Sequence, residues 1–236
     1  IDLGDKMEYY PEAVEERLND NADHFKNLIK GILDEHLEQS GNPGIVVSMY
    51  DTELFGHWWF EGPRWIKKVL QWVDDDPELA LTTAGKYIDM KPPQVVVNLP
   101  EGSWGQGGYH WVWFNDWTTW TWEKIYECED KMESLIQKIK NSRKDGDLNR
   151  MLVQLGRELL LLQSSDWQFL ITTWSARDYS ESRVAEHYEK FSTLFKIIER
   201  YIDDGSIPDS SWKYINALEE EDGIFPNLEI KDFFGE

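Results

Sequence analysis

With 236 residues, 41% of them hydrophobic and 14% aromatic, the chain can bury one large core or two modest ones, which excludes disorder. Its 24 basic and 45 acidic residues leave a net charge of −21, spread along the sequence, so no face is suited to phosphates, and nucleic acid and anionic membranes are poor partners. One cysteine, Cys128, excludes an internal disulfide and a cysteine metal cluster and fits a reducing, cytoplasmic setting. The longest apolar run, 159–162, is far too short to span a bilayer, and residues 1–10 carry charges where an export signal would be apolar. Ile1 in place of an initiator Met suggests a chain cut from something longer.

From Pro11 to Gln39, apolar residues recur at three- and four-residue spacing, with Pro11 at the start and Gly41 just past the end; the pattern predicts one amphipathic helix. A Gly41-Asn-Pro-Gly44 turn then leads into 45–50, a β-branched run without polar alternation, which reads as a strand buried on both faces. Pro63 opens a helix over 64–73. Two more short strands are predicted at 79–82 and 94–99, separated by a two-turn helix at 84–89. Composition shifts at Pro100: Gly102, Gly105, Gly107 and Gly108 stand among aromatics, the mark of a shaped loop. Helices follow at 120–140, 147–164, 166–174, 180–203 and 210–218, with turns at 144–146, 176–178 and 204–208. The expected fold class is α/β plus all-α. Residues 1–100 form the α/β part, 101–117 a Trp/Gly-rich loop, and 118–236 an antiparallel helical bundle. One to three strands are too few for a sheet buried on both faces, so its other strands lie elsewhere.

Thirteen tryptophans are the loudest anomaly of the composition. An indole offers a flat apolar face and one N–H donor, which suits cores, interfaces and ligand platforms alike, and the sequence leaves core and platform open for each. Asp51 stands at the carboxyl end of the 45–50 run, where α/β folds place functional groups. It can equally cap the turn that follows. Asp51 and Glu53 would share a side if the strand continued, and two carboxylates are the minimum machinery of a glycosidase. His57, flanked by aromatics, reads as packing more readily than as a ligand. Gly105-Gln-Gly-Gly108 lacks the Lys-Ser/Thr of a phosphate loop, and no His-x-x-x-His or Cys-x-x-Cys pair exists, so neither cofactor nor metal is expected.

The stretch Tyr50-Asp-Thr-Glu-Leu-Phe-Gly-His-Trp-Trp-Phe-Glu-Gly-Pro63 closely resembles a signature of glycoside hydrolase family 57, specifically of its 1,4-α-glucan branching enzymes. Leu99-Pro-Glu-Gly-Ser-Trp-Gly-Gln-Gly-Gly-Tyr-His-Trp-Val-Trp-Phe-Asn115 agrees, as does Leu161-Leu-Gln-Ser-Ser-Asp-Trp-Gln-Phe169 followed by Ala176-Arg-Asp-Tyr-Ser-Glu-Ser-Arg183. These occur in family order and extend the resemblance over residues 7–195.

The resemblance implies that the α/β part is the last portion of an incomplete (β/α)7 barrel, with the helical bundle packed against its catalytic face. It implies that Asp51 is the general acid/base, that Trp104 and Trp113 line the glucan site, and that Asp166 is a carboxylate given to that site by the bundle. The family's nucleophile is a Glu on an earlier strand, and no such region precedes Asp51. The implied partners are therefore α-1,4-glucan and an N-terminal half of the same enzyme, and the chain by itself is expected to be inactive. The alternatives are a family amylase or 4-α-glucanotransferase, and a non-catalytic glucan-binding module.

Overall fold

A computed structural model describes residues 3–139 and 145–233. The chain divides into two units, Ile1–Asn98 and Leu99–Glu236. It is mainly helical.

In the first unit, α1 spans Pro11–Ser40 and α2 spans Gly62–Asp74. Proline in the first turn of α1 gives up only an N–H that would lack a helical partner. Gly41, at φ 69°, closes the other end by donating its N–H to Leu37 O at 2.8 Å, a left-handed cap that favours glycine. The two helices form a helical hairpin core: Leu18 and Ala22 of α1 bury against Trp65, Val69 and Val73 of α2, with Phe25, Phe55 and Trp59 packed around them. Glu15 of α1 pairs with Arg64 and Lys68 of α2 at its edge. A short helix, α3 (Ala84–Met90), is capped by Thr83, whose hydroxyl accepts from Lys86 N at 3.3 Å.

The second unit is a bundle of α4 (Thr119–Ile139), α5 (Gly146–Leu162), α6 (Asp166–Thr173), α7 (Arg177–Asp204) and α8 (Asp209–Glu221). Helix α7 packs most extensively, against α5 and α6. Met151, Leu155, Phe191, Leu194, Ile198 and Ile215 are fully buried between them, the apolar stripes that the periodicity picked out. Gly156 gives up its side chain to a close neighbour, since a Cβ there would lie 2.7 Å from the Phe233 ring. Cys128 is enclosed in this core, and burial pushes its thiol up to about 12, so it is an inert small hydrophobe.

The helices therefore follow the predicted segments, with α7 starting at Arg177, inside the predicted 176–178 turn. Lys140 at the predicted end of α4, and Lys144 of the next turn, lie outside the described residues. The three predicted strands differ. Residues 45–50, 79–82 and 94–99 are non-helical, but no strand ladder forms among the described residues, where the bridge between Phe55 and Trp59 is an isolated one. A strand exists only through a neighbour that takes its N–H and C=O groups, and helices, whose own groups are paired internally, cannot serve. The runs retain the composition of buried strands while standing uncovered: Val47 is 66% exposed, Met49 86% and Val96 100%.

The thirteen tryptophans divide between core and surface: Trp59, Trp72, Trp120, Trp122, Trp167 and Trp212 pack partly buried against the two cores. Trp65 is buried, while Trp58, Trp104, Trp111, Trp117 and Trp174 are exposed.

Candidate functional site

Asp51 ends the 45–50 run and begins a tight knot. Its backbone carbonyl accepts from Leu54 N at 3.1 Å, opening the 3-10 turn Thr52–Leu54. Trp58 N and Trp59 N then donate back to the carbonyls of Glu53 and Leu54, and Gly56, at φ 101°, folds onto Trp59 O at 2.8 Å. Gly62 completes the knot: a Cβ there would stand 2.9 Å from Phe55 Cα. Phe55 stacks on Trp65 at 6.3 Å and 8°, so the knot is anchored on the α1–α2 core.

This geometry bears on the capping reading of Asp51 that the sequence left open. It sits at the cap position of the 3-10 turn, yet its side chain makes no capping bond. Among the described residues the exposed carboxylate has no hydrogen-bond partner. The strand does not continue, so Asp51 and Glu53 do not share a strand face. Glu53 is instead engaged by Trp58, whose Nε1 donates to it at 2.9 Å, and His57 packs edge-on against Trp58 at 5.4 Å. An open hollow of about 390 Å³ beneath the knot is lined by His24, Phe25, Tyr50, Phe55, Trp59 and Trp65.

In the second unit, the Gly-rich loop shapes a cleft of about 580 Å³. Ser103 Oγ donates to Tyr109 O at 2.6 Å and accepts from Gly105 N at 3.0 Å, while Gly108, at φ 76°, returns its carbonyl to Ser103 N. Gly105 is compelled by closeness: a Cβ would meet Tyr109 O at 2.9 Å and the Trp113 ring at 3.1 Å. The loop thereby sets Trp104 edge-to-face on Trp113, centroids 5.0 Å apart at 81°, with Phe169 behind Trp104 at 5.4 Å. Trp113 is fixed by its own carbonyl, which accepts from Trp122 Nε1 at 2.8 Å and Thr118 Oγ1 at 2.9 Å. His110, Trp122, Tyr126 and Ser165 complete the walls.

Trp104 and Trp113 are thus brought together. Asp166 is the exposed first residue of α6, next to the cleft-lining Ser165. Ser165, and not Asp166, holds the N-cap position of α6. Asp51 belongs to the other unit. The sequence singles out neither His110 nor Tyr126, and Trp122 only as one of the tryptophans open to core or platform; Trp122 and Tyr126 fall in the helical period of α4. His110 is held by Glu101 Oε1 at 3.2 Å.

Glu158, His187 and Asp222 present ligand atoms within 4.8 Å of one another inside the bundle. Those atoms are already engaged: Glu158 Oε2 by His187 Nδ1, His187 Nε2 by Arg183, and Asp222 Oδ2 by Lys190 Nζ at 2.7 Å. Two cations thus stand where a metal ion would bring its charge, and the cluster reads as a structural network.

Residues 124–233 match the family described as 1,4-alpha-glucan branching enzyme, C-terminal. Over all 236 residues the chain is 39% identical to a 1,4-alpha-glucan branching enzyme of Thermococcus kodakarensis. The chain belongs with the C-terminal part of the GH57 branching enzymes. The resemblance carried by the three motifs is borne out by crystal structures too. The GH57-type branching enzyme of Pyrococcus horikoshii superposes with a TM-score of 0.78 at 43% identity, covering 100% of this chain and 43% of that one. An α-amylase of Thermotoga maritima superposes at 0.69 with 27% identity, covering 100% of this chain and 42% of that one. A probable branching enzyme of Mycobacterium tuberculosis is 32% identical over 77% of this chain. The chain spans 34% and 35% of the length of the curated relatives from Thermococcus and Mycobacterium. No helix among the described residues is long and apolar enough to cross a membrane.

Proposed function

We propose that this chain is the segment of a family 57 branching enzyme that supplies the general acid/base, Asp51, and the glucan-holding walls, Trp104, Trp113 and Asp166. The observation that carries this reading is the edge-to-face pair of Trp104 and Trp113 walling an open cleft. Indole faces stack on the apolar faces of glucose, and the substrate is neutral, so the acidity of the chain does not oppose it. In a retaining double displacement, Asp51 gives its proton to the glycosidic oxygen while a carboxylate nucleophile about 5 to 5.5 Å away attacks the anomeric carbon. The glycosyl-enzyme is then opened by a sugar 6-hydroxyl, whose proton returns to Asp51. That nucleophile is a Glu on a barrel strand outside this chain, so the 45–50 and 94–99 runs take their place in the sheet beside strands of an N-terminal half. Transfer to a 6-hydroxyl in place of water requires a shielded site, the second task of the indole walls. The biological setting is glycogen biosynthesis in the cytoplasm.

The test uses the longer enzyme that carries this segment. Asp51→Asn is expected to abolish formation of α-1,6 branch points from amylose, and the 236-residue chain by itself to show no turnover. Trp104→Ala or Trp113→Ala is expected to lower transfer relative to hydrolysis. New reducing ends without branch points would mark an amylase, a reading favoured by the likeness to the Thermotoga α-amylase. Redistributed linear chains would mark a 4-α-glucanotransferase. Binding without turnover by the longer enzyme would mark a binding module.

A further inference from the structure

Three exposed tryptophans take no part in the cleft. Trp111 is 57% exposed, Trp117 42% and Trp174 62%. They form one group: Trp111 and Trp117 have centroids 6.5 Å apart at 61°, and Trp117 and Trp174 6.0 Å apart at 85°. The Arg177 guanidinium lies 4.6 Å from the Trp174 ring and 5.9 Å from the Trp117 ring. Its Nε is steered by Glu181 at 2.7 Å, and among the described residues its two Nη groups have no hydrogen-bond partner.

The group is built, not left over. Asn115 spends its whole amide on it: Nδ2 donates to Trp111 O and to Thr172 Oγ1, both at 2.8 Å, and Oδ1 accepts from Trp117 N at 2.8 Å. One side chain therefore fixes the loop that carries two of the indoles against the end of α6, two residues before the third. Trp174 itself ends α6 as its C-cap with a left-handed backbone, φ 60° and ψ 16°, a position usually held by glycine and unfavourable for a bulky residue. That cost is met at a residue whose indole stays 62% exposed.

We propose that Trp111, Trp117 and Trp174, with Arg177, form a second carbohydrate platform on the helical unit, sharing no residue with the cleft, that holds a curled stretch of α-1,4-glucan. The choice of polymer rests on the glucan reading above, and the angles refine it. Planes turned by 61° and 85° follow a chain that coils, as α-1,4-linked glucose does, whereas a flat β-1,4 ribbon calls for coplanar rings. Stacking accounts for the rings, and the Nη groups of Arg177 donate to sugar hydroxyls. Anionic ligands are disfavoured, because Arg177 is already paired and the chain carries −21.

The test is native gel electrophoresis of the 236-residue chain through gels with and without amylopectin, or with hydroxyethyl cellulose. Trp174→Gly is the main variant, because glycine accepts the positive φ and the indole is lost without straining the fold. The chain is expected to be retarded by amylopectin and not by the β-glucan. Trp111→Ala/Trp174→Gly is expected to weaken that retardation about 5- to 10-fold, the scale of losing one or two ring contacts. Asn115→Leu, which keeps every indole but releases the loop, is expected to weaken it as well. Near-UV circular dichroism checks folding. Retardation of the chain undiminished in the double variant overturns the platform and leaves the cleft reading intact, whereas retardation abolished by Trp104→Ala alone assigns all binding to the cleft. No retardation of the unaltered chain overturns the platform, while branching by the longer enzyme then decides the cleft reading separately. Equal retardation by the β-glucan overturns the coiled-chain specificity. A dimer seen by size exclusion that dissociates in Trp111→Ala/Trp174→Gly makes the patch a protein contact and overturns the proposal.

Discussion

His187 Nδ1 stands 3.0 Å from the carboxylate of Glu158, and neither side chain has any exposed surface. Arg183, 2.9 Å from the other ring nitrogen, can only donate, so Nε2 accepts and Nδ1 carries the proton directed at Glu158. Gln154 Nε2 supplies a second donor to the same carboxylate at 2.8 Å. The pair ties α5 to α7 at the centre of the bundle. Replacing His187 with Phe leaves a buried carboxylate short of a donor and is expected to cost about 3–5 kcal/mol in urea unfolding. Glu158→Leu/His187→Phe, which removes both polar groups, should recover most of that loss. A double variant no more stable than the single one would mean that the cost lies in packing.

Two glycines give opposite signs for the same substitution. Gly62→Ala drives a methyl to within 2.9 Å of Phe55 Cα and is expected to lower stability by about 1–3 kcal/mol, as overpacking does. Gly31→Ala, inside α1 with nothing within 4 Å of the new Cβ, is expected to raise it by about 0.5–1 kcal/mol. Thermal melts of the two variants check both.

Acid should loosen the bundle at Lys190. Its ammonium binds Glu186 at 2.6 Å, Asp222 at 2.7 Å and Glu221 at 3.1 Å. Burial disfavours the charged ammonium, but the three carboxylates outweigh this and hold its proton more tightly than usual. The bond from Lys190 in turn holds the Glu186 carboxyl below its ordinary value of 4.5. A depressed carboxyl stabilises the fold at pH values above its unfolded pKa, and that contribution fades as pH falls through the lower, folded one. Urea midpoints are therefore expected to drop as the pH goes below 4.5, and Lys190→Met should flatten that slope.

Asp166 offers a test in which stability and activity separate. As the first residue of α6, with Ser165 at the cap, it contributes to the fold only through the helix dipole, about 0.3–1 kcal/mol. Asp166→Asn in the longer enzyme should therefore melt within about 1 kcal/mol of the parent, yet lose most branching activity. Normal branching would remove Asp166 from the site.

What was legible in the sequence was whatever local spacing determines. Helices α1 and α2, and the bundle from α4 to α8, follow from apolar residues three and four apart, because a helix satisfies its own backbone. The 45–50 and 94–99 runs show the opposite case. Their composition announces strands, but a strand is a relation between two segments, and no second segment pairs with them among the described residues. Asp51 stands out by its place at the end of the 45–50 run, while its role, and the choice of Trp104, Trp113 and Asp166, rest on motif resemblance. Tyr126 and Trp122, on the cleft wall, look like any helical stripe until the loop is seen lying over them. Asn115 closes the second motif, but its role as a tie leaves no local signature, since its three side-chain partners reach from position 111 to position 172.

The uncovered run at 94–99 also bears on how this chain behaves in concentrated solution. Val95, Val96 and Val97 are 74%, 100% and 69% exposed, and among the described residues no strand pairs with the backbone beside them, so two molecules meeting there can zip together as β-structure. Opposing that approach is the repulsion between bodies of net charge −21. That repulsion reaches only about 8 Å at physiological ionic strength and contracts further as salt is added. Colloidal behaviour is thus governed by counter-ions, with low salt favouring monomers and high salt bringing sticky edges within range.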